Sequence, residues 1–127
     1  IIVMIKVGLI CMQKKAEAKP MKEILSRLTC NQDIEIINFD DDTILNKPIN
    51  DWPIVSIIIA FHSGKYPLFK VLEYVKKHNC VCINGKLQWQ QLFKSRLQVK
   101  EMLKQEQIAQ PNYITVHRKR IYCKKCE

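Results

Sequence analysis

Four lysines in this sequence sit where an anion could be held. Lys14 and Lys15 follow the apolar run "GLICM", Lys65 follows "IVSIIIAF" and Lys86 follows "CVCI". In an α/β sheet, ligands bind in the crevice outside the carboxyl ends of the strands. The loops "QKKAEAKP", "HSGKYP" and "NGKLQ" are therefore the ones from which a binding rim would be built. Ammonium groups there hold phosphate as point charges, assisted by the N–H groups at helix starts. No Gly-x-Gly-x-x-Gly or Gly-x-x-x-x-Gly-Lys pattern accompanies them, and Gly8 stands alone inside an apolar run, so no glycine cradle is expected.

A single loop lysine is usually just solvated. The Lys14/Lys15 pair differs because it combines a strand-end position with an unfavourable helix-dipole setting, just ahead of the helix expected to begin at Pro20, which Lys19 and Lys22 flank. The amino end of a helix carries about half a positive charge, so lysines in its first turn cost on the order of 0.3–1 kcal/mol each. Glu17 and Glu23 offset only part of that.

The remaining reactive groups read as structural. His62 and Ser63 pair a base with a hydroxyl, but strand neighbours point opposite ways and no third member is evident. Cys123 and Cys126 in "CKKC" have the spacing of half a zinc site, with only Cys80-x-Cys82 elsewhere, so no metal site is expected. Asp40, Asp41 and Asp42 are expected to form a solvated loop or a helix cap. Arg96 lies inside an apolar helical stripe, where an arginine either snorkels to the surface or reaches a phosphate or carboxylate; its position leaves both open.

The elements that must position these groups alternate. "IIVMIKVGLICM" reads as a buried parallel strand whose two covered faces favour a continuous apolar run; Lys6 and the lack of a cleavage site argue against a signal peptide. It is also too short to span a bilayer. Starting on Ile rather than Met is what an incomplete chain would show. A helix from Pro20 to about Leu28, with Met21, Ile24, Leu25 and Leu28 on one face, leads to a strand "IEIINF" and a short apolar piece at Thr43 to Leu45. Pro48 and Pro53 mark a turn-rich connection. Ile54 to Phe61 is the clearest buried strand, followed by a helix from Leu68 to Lys77, with Val71, Leu72 and Val75 facing inward, and a strand "CVCI". A helix from Trp89 to Gln105 carries Leu92, Phe93, Val99, Met102 and Leu103, and "YITV" predicts a last strand.

This order predicts a three-layer α/β domain on a mainly parallel sheet, with buried strands near residues 2–11, 34–39, 54–61 and 80–83. At 127 residues, 47% hydrophobic and 26% charged, the chain is one ordinary globular domain. Twenty-one Lys and Arg against twelve Asp and Glu give a net charge of +9, which favours polyanionic partners without choosing among phosphorylated metabolites, nucleic acid and acidic membrane. Cys11, Cys80 and Cys82 lie in apolar runs, where reduced thiols pack as small hydrophobes, and cytosol is the expected compartment.

From about Lys6 to His117 the chain resembles the amino-terminal region of the diphosphoinositol pentakisphosphate kinases, ATP-grasp enzymes that phosphorylate inositol hexakisphosphate and its pyrophosphate derivatives. The resemblance is carried by "GLICMQKKAEAKPMKEIL", "ILNKPINDWP", "AFHSGKYPL" and "SRLQVKEML", in that order. It implies a Rossmann-like pre-ATP-grasp domain over residues 1–117, with residues 118–127 a divergent basic tail. It further implies that Lys14 and Lys15 contact the phosphorylated inositol, that Lys65 lies near the same anion path and that Arg96 serves the nucleotide pocket. No catalytic residue is expected in this region. Where the family pattern has Ser-Lys-Gly, this chain has Ser63-Gly64-Lys65; where it has Asp-Arg-Arg, this chain has Ser95-Arg96-Leu97.

ATP and Mg2+ are cofactors of the intact family. The resemblance leaves the lysines that grip ATP, the hinge that reads adenine and the residues that bind magnesium outside this sequence, so the expectation is a chain inactive alone that partners a missing ATP-grasp domain and binds inositol polyphosphates. A non-catalytic inositol-phosphate-binding fragment is the alternative. A basic nucleic-acid-binding module, suggested by "HRKRIYCKK", ranks below both because no exposed aromatics interleave with the basic residues.

Overall fold

The computed structural model describes residues 3–117, which fall into two compact units parting between Lys94 and Ser95. The tail beyond residue 117, with Cys123 and Cys126, lies outside the described residues, so a boundary at 117/118 remains a reading of the sequence.

In the first unit, strand β1 (Ile5–Ile10) leads through helices α1 (Gln13–Ala16) and α2 (Lys19–Thr29) to β2 (Ile34–Asn38). Helix α3 (Asp41–Leu45) and a 3-10 turn (Ile49–Asp51) lead to β3 (Ile57–Ala60). Helix α4 (Leu68–His78) leads to β4 (Val81–Cys82), and α5 (Leu87–Leu92) follows. The sheet order is β2-β1-β3-β4 and every pairing is parallel. This is the expected Rossmann-like three-layer α/β fold. The chain builds outward from β1 to β2, then crosses back to build β3 and β4, so the strand order reverses between β1 and β3.

Two cores cover the two faces of the sheet. Val7, Leu9, Cys11 and Ile59 pack against Ala16, Met21, Leu25 and Leu28 of α1 and α2. Ile10, Ile58 and Ala60 pack on the other face with Phe39, Trp52, Val71, Tyr74 and Leu87. Gly8 points into this second core, where an added Cβ would lie 2.8 Å from a methyl of Val55, so close packing requires a glycine inside β1. Phe39, Trp52 and Tyr74 meet with centroids 5.2–6.0 Å apart, and the Tyr74 hydroxyl donates to the Pro53 carbonyl at 2.6 Å.

Several expectations need correction. The strands are shorter than the apolar runs: Ile54 is 71% exposed and lies outside β3. β2 and β4 are edge strands, only partly buried, because an edge leaves one side of a strand without a neighbour. Pro20 takes the second helical position of α2 rather than the first, and Ile24 is exposed.

The helix expected from Trp89 to Gln105 is interrupted between Leu92 and Arg96. Ser95 adopts an extended conformation and its hydroxyl accepts the Gln98 N–H at 3.4 Å, starting α6 (Arg96–Gln105) in the second unit. A serine competing for a nearby N–H breaks a helix more readily than it continues one. "YITV" forms no strand among the described residues; Ile114 and Val116 are 91% and 76% exposed. Its β-favouring composition lacks a pleated surface to pack on.

Candidate functional site

Three chain segments meet at the carboxyl ends of the strands in the first unit. Ile10 leads from β1 into α1, Ala60 leads from β3 into the loop 61–67, and Cys82 leads from β4 into α5. They enclose a cleft of about 540 Å³ lined by Lys15, by the loop 61–64, by Asn84 and by Gln90, Phe93 and Lys94. It lies where the strand order reverses, the usual ligand position in such sheets. No acidic side chain lines it; Lys15, His62 and Lys94 are its titratable groups.

Lys15 reaches this place through a short helix pinned at both ends. The Gln13 N–H donates to Asp41 Oδ1 at 2.7 Å, and the Glu17 N–H closes the far end on the Gln13 carbonyl at 2.9 Å. The dipole argument thereby shifts. Lys14 and Lys15 occupy the last turn of α1, while Lys19 opens α2 behind the non-capping residue Ala18. The penalty for a cation at a positive helix end falls on Lys19 and Lys22.

The acidic triplet divides its labour among neighbouring helices. Asp40 accepts the Thr43 N–H at 2.7 Å as the cap of α3, and that hydrogen bond holds its carboxyl below the usual range. Asp41 caps α1, and Asp42 accepts from the Asn46 side chain at 2.7 Å.

Of the expected site lysines, Lys15 lines the cleft. Lys14 is exposed on the same short helix. Lys65 is exposed with φ of 65°, and Lys86 lines a different hollow beside Cys80 and Cys82. Arg96 opens α6 in the second unit and is exposed. Sequence reasoning passed over Lys94, Asn84 and Gln90. For Lys94 the missing signal was the break between α5, which ends at Leu92, and the helix that Ser95 caps.

No activated nucleophile appears at the strand ends. Burial pushes the Cys11 thiol up to about 11, with Asp41 adding to the shift and Lys15 opposing it. Burial likewise raises Cys82 and Tyr66, whose hydroxyl donates to the Ile10 carbonyl at 3.0 Å. His62 meets the edge of the Tyr66 ring, with centroids 5.9 Å apart. Magnesium needs converging oxygen ligands, and no group of three or more His, Cys, Asp or Glu suited to a metal occurs among the described residues. No helix among the described residues is long and apolar enough to cross a membrane.

Fold and cleft together define a parallel α/β domain with a strand-end cleft lined by cations and no acid, suited to binding an anion. Residues 5–95 match the family described as the diphosphoinositol pentakisphosphate kinase 2 N-terminal domain, and the chain belongs to that family. It is 40% identical over 114 residues to the human inositol hexakisphosphate and diphosphoinositol-pentakisphosphate kinase 2, covering 90% of this chain and 9% of the relative. The kinase VIP1 of Arabidopsis thaliana is 42% identical over 115 residues, covering 91% of this chain and 11% of the relative. The Saccharomyces cerevisiae kinase is 36% identical over 92 residues, covering 72% of this chain and 8% of the relative. The chain thus spans about a tenth of the length of the curated relatives it matches.

Proposed function

We propose that this chain is the inositol-phosphate-binding amino-terminal part of an ATP-dependent inositol hexakisphosphate and diphosphoinositol pentakisphosphate kinase. The observation that carries the reading is Lys15 in an acid-free cleft at the strand-order reversal of a chain belonging to this family. Lys15 holds a phosphate of the inositol ring. Lys14 and Lys65, exposed near the strand ends, meet the anion on its way in, and Arg96 serves the nucleotide on the strength of the family resemblance.

ATP and Mg2+ belong to the intact enzyme. The described residues do not supply a converging carboxylate set for the metal, so Mg2+ is assigned to a partner ATP-grasp region, which also supplies the nucleotide contacts other than Arg96. The domain reading keeps residues 1–117 as the pre-ATP-grasp domain and 118–127 as a basic tail. Cytosol is the proposed compartment, supported by Cys11, Cys30, Cys80 and Cys82 all being free thiols.

The test is calorimetric titration of inositol hexakisphosphate into the chain and into the variants K15A and K124A at about 0.15 M salt, where charges beyond ~8 Å are largely screened. K15A is expected to lose about tenfold in affinity, the size of one charge-assisted hydrogen bond, and K124A less than about twofold. Equal losses would reduce the interaction to net charge and remove the site assignment.

A further inference from the structure

Strand β4 stops after two residues, yet the hydrogen-bonding edge of β3 continues beyond it. The regular ladder runs from the Val81 N–H to the Ser56 carbonyl (2.9 Å) and from the Ile83 N–H to the Ile58 carbonyl (3.0 Å). The next rung falls at Ala60, where the chain is about to turn through Gly85 at φ of 87°. Asn84 takes that rung with its side chain: Nδ2 donates to the Ala60 carbonyl at 2.7 Å and Oδ1 accepts the Ala60 N–H at 3.1 Å.

Gln90 then extends the ladder once more, from α5. Its Nε2 donates to the Ala60 carbonyl at 2.7 Å and its Oε1 accepts the His62 N–H at 2.9 Å. A residue of a neighbouring parallel strand would grip the backbone on either side of Phe61 in this way. A glutamine amide thus stands in for a missing strand. What it fixes is the backbone that carries His62, Ser63 and Gly64 along the cleft.

We propose that Gln90 is a positioning residue for anion binding: it holds the His62–Gly64 backbone as a wall of the cleft that Lys15 also lines. The claim rests on the reading of that cleft as an inositol-phosphate site. Gln90 itself spends both amide atoms on the backbone, so it acts through the loop. An unheld loop would have to be ordered by the ligand at the ligand's expense.

The experiment compares the chain with Q90L, and with Q90M, which keeps the length and flexibility of glutamine where a branched leucine upsets α5. Amide hydrogen exchange at His62 is read alongside Ile58 and Val71, and inositol hexakisphosphate affinity is measured with and without K15A. Loss of the hydrogen bond is expected to speed His62 exchange about tenfold with Ile58 and Val71 unchanged. Affinity is expected to fall about fivefold, and by less than about twofold when Lys15 is already alanine, since coupled residues are not additive.

Unchanged His62 exchange in both variants would show that Gln90 does not hold the loop. Faster exchange with unchanged affinity would show a structural brace only, and equal losses with and without Lys15 would remove the shared wall. If the unmodified chain does not bind inositol hexakisphosphate, the site reading fails and the positioning claim with it. Binding that survives Q90L intact overturns the Gln90 claim alone.

Discussion

At the exit of β1 the chain is held by its own backbone and by groups brought from other elements: the Ile10 carbonyl accepts the Phe61 N–H at 3.4 Å and the Tyr66 hydroxyl at 3.0 Å, and Asp41 caps the helix that follows. At the exit of β3 the holding is done by two side-chain amides, Asn84 and Gln90, and the loop then passes through a left-handed residue, Lys65. The cause is position in the sheet. β1 is central and keeps a backbone partner on both sides, whereas β3 loses its outer partner when β4 ends. Both exits borrow side chains, but those at β1 supplement a strand that keeps its backbone partners, whereas the amides at β3 fill ladder rungs that a longer β4 would have supplied.

The contrast can be broken first at the link between the two exits. Y66F removes the hydroxyl from the Ile10 carbonyl and is expected to cost about 1 kcal/mol by chemical denaturation, the net value of one hydrogen bond. The Phe61 N–H remains on that carbonyl, so a loss well above this would mean that Tyr66 carries more of the β1 exit than its single bond.

A smaller effect of opposite sign is expected at the other exit. Lys65 sits at φ of 65°, where a side chain is disfavoured by roughly 1–2 kcal/mol and glycine is not. Glycine's greater freedom in the unfolded chain takes back part of this, so K65G should stabilise by about 0.5 kcal/mol. A destabilised K65G would mean that the Lys65 side chain makes contacts that hold the loop.

The last effect concerns pH and is confined to alkaline solution. The buried Cys11 thiol is raised from 9.0 to about 11, so folding favours its neutral form. The stability this represents is complete below pH 9 and is lost as pH rises through 11. Melting temperature should therefore decline over that window, and decline less steeply in C11A. Tyr66 and Tyr74, also raised by burial, leave part of the slope in place. An identical slope in C11A would remove Cys11 from the account.

The sheet was legible because β-branched runs such as "IVSIIIAF" alternate with helical stripes, and that pattern depends on local composition. What was not legible depended on tertiary partners. Asp41 caps a helix far from it in sequence, and Asn84 and Gln90 matter only because β4 is short. Arg96 was read inside one long stripe, whereas Ser95 restarts the helix immediately before it. "YITV" has strand composition and finds no strand partner. For the site, the strand-end rule led to Lys15, while Lys94 required knowing where α5 stops.

Gly8 and its neighbours in β1 also bear on how the chain is made. β1 is the central strand, yet it precedes its partners in sequence: Ile10 pairs with Ala60 and Ile5 with Ile34. During synthesis from the amino end, the apolar segment "IKVGLI" must therefore wait for residues far downstream before either of its edges is covered. Parallel pairings of this kind form slowly because the intervening loop must close first. The newborn chain thus passes through an interval in which an apolar strand is unprotected, when chaperone engagement would matter most.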